Sequence, residues 1–248
     1  RHGTRALRWG KIEFEGKELS LLQEGAGEDL LFLHGYLSCK ESFYHQIRYF
    51  SRRFRVTAFD FPGMGKSAPP DAAWSVGDYA AHTKRLLAAL GIVRPRVIAH
   101  SFGGRVALKL LAEDGFSRAL LTGCAGVVPK RGFSYRVRVG TYRLCRRLFP
   151  RFAERHFGSA EYRSLPPLQR ESFKKIVNED LTPLLPLVRV PTLYVFGEKD
   201  EQTPLYMARR LQADTPASAL VCMRGCTHFC FCEQPDAFNE IAREFLLP

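Results

Sequence analysis

The 248 residues, 46% hydrophobic and 25% charged, have the make-up of one globular domain with a modest insertion, which excludes a disordered or fibrous chain. No stretch approaches the ~20 apolar residues that cross a bilayer, and the seven cysteines lack the spacing of a small disulfide framework. With an N-terminus, Arg1-His2-Gly3-Thr4-Arg5, that has no apolar signal core, these features lead us to expect a cytoplasmic protein, and the formal charge of +12 calls for a basic region.

Two short strands are expected at residues 11–14 and 19–23, and Gly25-Ala26-Gly27 turns the chain. Asp29-Leu30-Leu31-Phe32-Leu33 is a continuous apolar run, as in a strand buried on both faces. A helix follows over 42–50, then a strand over 55–59 that ends at Asp60. Ser75-Val76-Gly77-Asp78 opens an amphipathic helix that runs to Leu90 and stops at Gly91. The next elements are a strand from Arg96, a helix over 103–112 and a strand over 119–122. Strands that alternate with helices build a mostly parallel sheet covered on both faces, an α/β fold. The alternation lapses after Gly126. From Lys130 to Asp180 the pattern is helical and broken by Pro150, Pro166 and Pro167. It resumes with a strand over 191–196, a helix over 204–211, a strand over 219–223 and a helix over 235–246. The expected organisation is a core of residues 1–128 and 185–248 with a helical cap inserted at 129–184.

Ala99-His100-Ser101-Phe102-Gly103 joins a strand to a helix through a very tight turn. Small residues two before and two after Ser101 let the backbone fold sharply enough to hold the hydroxyl out as a nucleophile. Leu33-His34-Gly35-Tyr36 closes the earlier apolar strand, and the Tyr36 and Phe102 amides are expected to form an oxyanion hole, in which one donor is worth roughly 10²–10³ in rate. Gly197-Glu198-Lys199-Asp200 puts acids at the C-terminal edge of a strand, where parallel sheets keep their sites. Asp200 is the expected orienting acid, with Glu198 and Glu201 as competitors on the same loop. His228, in Gly225-Cys226-Thr227-His228, is the expected general base. His82, within a helix, reads as a surface or packing residue, and His45 and His156 lack comparable context. Asp60-Phe61-Pro62-Gly63-Met64-Gly65-Lys66-Ser67 has the look of a phosphate loop, but Asp60 stands where that motif needs glycine, so we expect the loop to brace the site rather than bind a nucleotide.

The chain order Ser101, Asp200, His228 resembles that of the α/β-hydrolase superfamily. His34-Gly35, Asp60-x-Pro-Gly-x-Gly-x-Ser67, Ala99-His100-Ser101-Phe102-Gly103-Gly104, Gly197-x-x-Asp200 and Gly225-x-x-His228 carry the resemblance. It is to the capped branch that holds carboxylesterases, meta-cleavage C–C hydrolases and cofactor-free haloperoxidases. The resemblance implies a catalytic triad without cofactor or metal, and a substrate pocket that His34, Gly35 and His100 help to line. The expected activity is hydrolysis of a small or medium carboxylic ester through an acyl-enzyme. C–C bond hydrolysis of a vinylogous diketone acid and slow-turnover ligand reception are the alternatives. Epoxide hydrolases and haloalkane dehalogenases need aspartate where Ser101 stands.

Between Lys130 and Asp180 lie thirteen basic and five acidic residues, with Arg136, Arg138, Arg143, Arg146, Arg147, Arg151 and Arg155 interleaved among aromatic and aliphatic side chains. Three readings fit: a solvated face with packed arginine stems, a field that attracts anionic substrates, and weak attachment to an acidic membrane surface. No nucleic-acid module is recognisable, and the oligomeric state is open. Cys222, Cys226, Cys230 and Cys232 surround His228 without the C-x-x-C pairs of common zinc sites, and are expected to be buried apolar fillers.

Overall fold

The computed structural model describes residues 10–129, 147 and 164–247. The strands among them are β1 (Gly10–Phe14), β2 (Lys17–Glu24), β3 (Glu28–Leu33), β4 (Phe54–Phe59), β5 (Arg96–His100), β6 (Arg118–Thr122), β7 (Thr192–Gly197) and β8 (Ser218–Met223). They form one sheet in the order β1-β2-β4-β3-β5-β6-β7-β8. From β4 to β8 every neighbouring pair is parallel, while β2 runs antiparallel to both β1 and β4. The helices are α1 (Tyr44–Phe50), α2 (Val76–Ala89), α3 (Phe102–Ala112), α4 (Pro167–Asn178), α5 (Leu205–Asp214), α6 (Cys230–Glu233) and α7 (Pro235–Leu246).

Alternation along each strand divides the core between the two faces of the sheet. Leu31, Leu33, Val97, Ala99, Leu121, Tyr194 and Phe196 pack with α2, α3 and α5. Leu30, Phe32, Ile98, Leu120 and Val195 pack on the other side with α1 and α7. Both sets are buried, which is why these strands read as unbroken apolar runs rather than alternating ones. Helix α2 starts at a capping box: the Ser75 hydroxyl accepts from the Asp78 amide at 3.2 Å, and the Asp78 carboxylate accepts from the Ser75 amide at 2.7 Å. That closure satisfies two amides that a helix start otherwise leaves open.

Two segments tie α4 and the chain that follows it to the rest of the fold. The Trp74 amide donates to the Ser172 hydroxyl on α4 at 3.0 Å. On the return, the Leu181 amide donates to the Gly126 carbonyl at 2.9 Å, Arg105 donates to the Glu179 carbonyl at 2.8 Å, and Lys109 pairs with the Glu179 carboxylate. Leu181 and Leu185 are already buried in the cluster that holds α3. Of the basic positions singled out in the insertion, Arg147 is exposed. Arg136, Arg138, Arg143, Arg146, Arg151 and Arg155, like His156, lie outside the described residues.

The expectation for the cysteines needs correction. Cys226 and Cys230 are buried apolar fillers, but Cys222 and Cys232 are exposed. Cys222 sits on β8, the edge strand, where one face of the pleat is open to water.

Candidate active site

Ser101 stands between β5 and α3 at φ 50° and ψ −109°, a backbone region that side-chain-bearing residues rarely occupy and that costs of order 1–3 kcal/mol. Its neighbours hold it there. The Ser101 amide donates to the Thr122 carbonyl at 3.1 Å, and its carbonyl accepts from Gly104 at 3.0 Å and Ala125 at 3.2 Å. Gly103 lets the first turn of α3 press on the end of β3, where a Cβ would lie 2.2 Å from the Leu33 carbonyl oxygen.

Asp200 follows β7 and is 5% exposed; His228 follows β8 and is 4% exposed. His228 Nδ1 and Asp200 Oδ2 are 2.8 Å apart. Asp200 Oδ1 accepts the Gln202 and Thr203 amides at 2.9 and 2.8 Å, and Oδ2 also accepts the Thr203 hydroxyl at 2.8 Å. Burial alone would push the carboxyl up, but the hydrogen bonds from His228 and Thr203 outweigh it and hold Asp200 below the usual carboxylate range. The competing acids are elsewhere: Glu198 accepts the Gly225 amide at 2.9 Å, and Glu201 is exposed.

The sheet register brings this pair to the serine. His100 on β5 pairs with Thr122 on β6, so Ser101 lies alongside Gly123 on the adjacent strand. A Cβ on Gly123 would come within 3.0 Å of both Nδ1 and Cε1 of His228. The imidazole therefore rests on the backbone beside Ser101, one strand spacing away. Asp200 and His228 are joined; the Ser101 hydroxyl and His228 Nε2 make no hydrogen bond to each other among the described residues. Catalytic hydrogen bonds commonly close only when substrate is bound.

Tyr36 follows β3, and Phe102 follows Ser101. Phe102 is the first residue of α3, so its amide has no partner within the helix, and its ring packs edge-on against Tyr36 at 5.5 Å. The Tyr36 hydroxyl donates to the Gln169 carbonyl on α4 at 3.3 Å. Gly35 turns the chain by accepting the Ser38 amide at 3.2 Å.

His34 and His100 are both buried and hydrogen-bonded to backbone groups of other residues. His34 is 1% exposed; Nε2 accepts the Phe61 amide at 3.0 Å and Nδ1 donates to the Gly35 carbonyl at 2.7 Å. With both nitrogens used, the ring pins the end of β3 to the Asp60 loop. His100, 3% exposed, donates from Nε2 to the His228 carbonyl at 3.0 Å, with the rings 4.6 Å apart. It positions the loop that carries His228. Thr203 is the site residue that motif reading missed. The signal was Asp200-x-x-Thr203-Pro204, a spacing at which a carboxylate caps the amides two and three residues on.

Burial keeps three rings neutral. It pushes His34 and His82 down to about 4, and it pushes His100, which also faces His228, to about 3. Each ring titrates near its ordinary 6.5 when unfolded, so between that pH and about 4 the unfolded chain binds more protons than the folded one. Stability is therefore full above pH 7 and falls as pH drops through this window, by about 1.4 kcal/mol per pH unit for each ring fully engaged. Urea midpoints should decline from pH 7 to pH 5, and a flat profile would contradict the burial of these rings.

Comparisons with known proteins bear on the family and the fold. The AB hydrolase superfamily protein YisY of Bacillus subtilis (strain 168) is 25% identical over 249 residues, 89% of this chain and 92% of its own. A 2-hydroxy-6-oxononadienedioate/2-hydroxy-6-oxononatrienedioate hydrolase of Pseudomonas sp is 25% identical over 220 residues, 78% of this chain and 77% of its own. Among solved structures, the bromoperoxidase of Bacillus anthracis superposes with a TM-score of 0.78 at 18% identity, covering 98% of this chain and all of that one. The model of the alpha/beta hydrolase family matches residues 30–241, a span that runs from β3 to α7, and this chain belongs to that family.

Proposed function

We propose that the protein is a serine hydrolase that cleaves a carboxylic ester through an acyl-enzyme. The observation that carries this reading is the buried Asp200–His228 pair, 2.8 Å apart, packed beside the strained turn that displays Ser101. In this mechanism His228 Nε2 takes the Ser101 proton as Oγ bonds to the ester carbonyl carbon. Asp200 holds the Nδ1–H tautomer and stabilises the imidazolium. The Tyr36 and Phe102 amides receive the carbonyl oxygen as it gains negative charge. The tetrahedral adduct collapses, His228 returns the proton to the departing alcohol, and the acyl group stays on Ser101. Water then gives its proton to His228, attacks the acyl carbon and releases the acid, and the proton goes back to Ser101. Every step uses side chains of this chain and needs no redox partner.

A fluorophosphonate probe tests the assignment. Peptide mapping should find the adduct on Ser101, and labelling at another residue, or none, would overturn it. A second reading, C–C bond hydrolysis, is favoured by the Pseudomonas relative, whose name specifies a dienedioate hydrolase. Turnover of a vinylogous diketone acid faster than of p-nitrophenyl acyl esters would select it.

Thr203 gives a finer test. Its hydroxyl lies 2.8 Å from Asp200 Oδ2 and 3.3 Å from His228 Nδ1. A hydrogen bond to a charged group contributes about 1.5–3 kcal/mol, so Thr203→Val should lower kcat/KM by about tenfold to a hundredfold, and Thr203→Ser should keep it near the parent value. Equal activity of the valine variant would show that Asp200 is held well enough without the hydroxyl.

A further inference from the structure

Helix α2 carries a histidine that the proposed chemistry does not use. His82 is 4% exposed. Its ring lies edge-on to Phe14 at 5.2 Å and tilted against Trp74 at 5.4 Å. Its Nδ1 has no hydrogen-bond partner, and neither nitrogen bonds to a described residue. A neutral imidazole carries one N–H and one bare nitrogen, so the buried Nδ1 leaves hydrogen-bonding capacity unspent.

The same ring forms part of the wall of a cavity of about 270 Å³ between the β1–β2 hairpin and the loop at residues 68–74. Phe14, Leu19, Pro62 and Trp74 give the cavity apolar sides. Its charged rim is matched pair by pair: Glu15 with Arg85 at 3.0 Å, Lys17 with Asp71 at 2.6 Å, and Glu18 with Lys11. The mouth therefore offers no unmatched charge to an ion. The cavity is separate from the Ser101 site. Tyr79 stands between them, 5.0 Å from Trp74 on one side and 5.1 Å from Phe102 on the other.

We propose that this cavity binds a small neutral aromatic molecule bearing one hydroxyl, seated against Phe14 and Trp74 and hydrogen-bonded to the His82 imidazole. The volume, just below the range of roughly 300–1,000 Å³ usual for small-molecule pockets, limits the ligand to one or two rings. Aromatic walls favour an aromatic guest through edge-to-face contacts. A hydroxyl both donates and accepts, so it satisfies either tautomer.

Calorimetric titration of the purified chain with 4-ethylphenol tests the site, with ethylbenzene as the hydroxyl-free match. Saturable binding is expected, at least fivefold tighter for the phenol. His82→Phe keeps a ring against Phe14 and Trp74 but has no nitrogen. It should weaken 4-ethylphenol about fivefold to tenfold and leave ethylbenzene unchanged. Protein blocked at the nucleophile by a fluorophosphonate should bind 4-ethylphenol as before. Crystals of the unaltered protein soaked in 4-bromophenol give a readout that does not depend on the variant: anomalous density for bromine should appear beside His82. Absence of saturation, equal affinity of the phenylalanine variant, or bromine confined to the Ser101 cleft would each overturn the proposal.

Discussion

Ser101→Ala is expected to lower kcat/KM for p-nitrophenyl acyl esters by on the order of 10⁴–10⁶, the scale seen when the nucleophile of a catalytic triad is removed. In the proposed mechanism the effect is this large because Ser101 supplies the nucleophile through which Asp200 and His228 act. They can move a proton, but the carbon–oxygen bond must form at the displaced hydroxyl. The fold should be untouched. The Ser101 side chain makes no hydrogen bond among the described residues, and the bonds that hold the turn are to its backbone amide and carbonyl, which alanine keeps. Alanine occupies the same strained φ at similar cost. The measurement is steady-state kinetics paired with a urea melt. Activity within tenfold of the parent, with a matching melt, would remove Ser101 from the chemistry.

Asp60→Ala is the second, and its effect is on stability. Asp60 is fully buried and its carboxylate gathers donors from two segments. Oδ1 accepts the Lys40 amide at 2.7 Å, while Oδ2 accepts the Lys66 amide at 3.0 Å and Lys40 Nζ at 3.2 Å. Lys40 is itself 3% exposed and also donates to the Ser20 hydroxyl at 2.7 Å. Deleting the carboxylate leaves the Lys40 ammonium with Ser20 and with Glu41, 3.1 Å away, and two amides without their acceptor. Each orphaned amide costs about 1–3 kcal/mol, together a large share of the roughly 5–15 kcal/mol that holds a typical domain folded. The urea midpoint should fall accordingly. Lys40→Met combined with Asp60→Leu should be less destabilised than Asp60→Ala, because an apolar pair leaves no ammonium short of a partner. A double variant worse than the single would mean that Asp60 acts mainly through the two amides.

That same residue explains why the glycine-rich turn is not a phosphate loop. The Lys66 amide of the turn donates to an anion, but the anion is the chain's own Asp60, and a Cβ on Gly65 would come 2.5 Å from its carboxyl carbon. Sequence spacing excluded the nucleotide. The structure shows what fills the place.

Much of the fold was legible because its signals are local. Buried strands read as apolar runs, α2 announced itself by Ser75 and Asp78, and the turn at Ser101 needed only small neighbours at fixed offsets. These features depend on residues a few positions apart, whose preferences act before any tertiary contact forms. The antiparallel placement of β2 between β1 and β4 was not legible in this way, because pairing depends on which edges meet in space. Sequence offered Glu198 and Glu201 as competitors of Asp200, since three acids share one loop, and the 2.8 Å contact of Asp200 with His228 Nδ1 separates them. His34 and His100 read as pocket residues, yet each spends its ring on a carbonyl or amide brought in from another segment. Cys222 read as a filler because strand residues are usually covered, and β8 is the edge. The amino-acid order thus determined the elements and the candidate nucleophile, acid and base. Tertiary structure alone decided which polar groups face one another, because hydrogen bonds and burial join residues as far apart in the chain as His100 and His228 and depend on distances that no local pattern encodes.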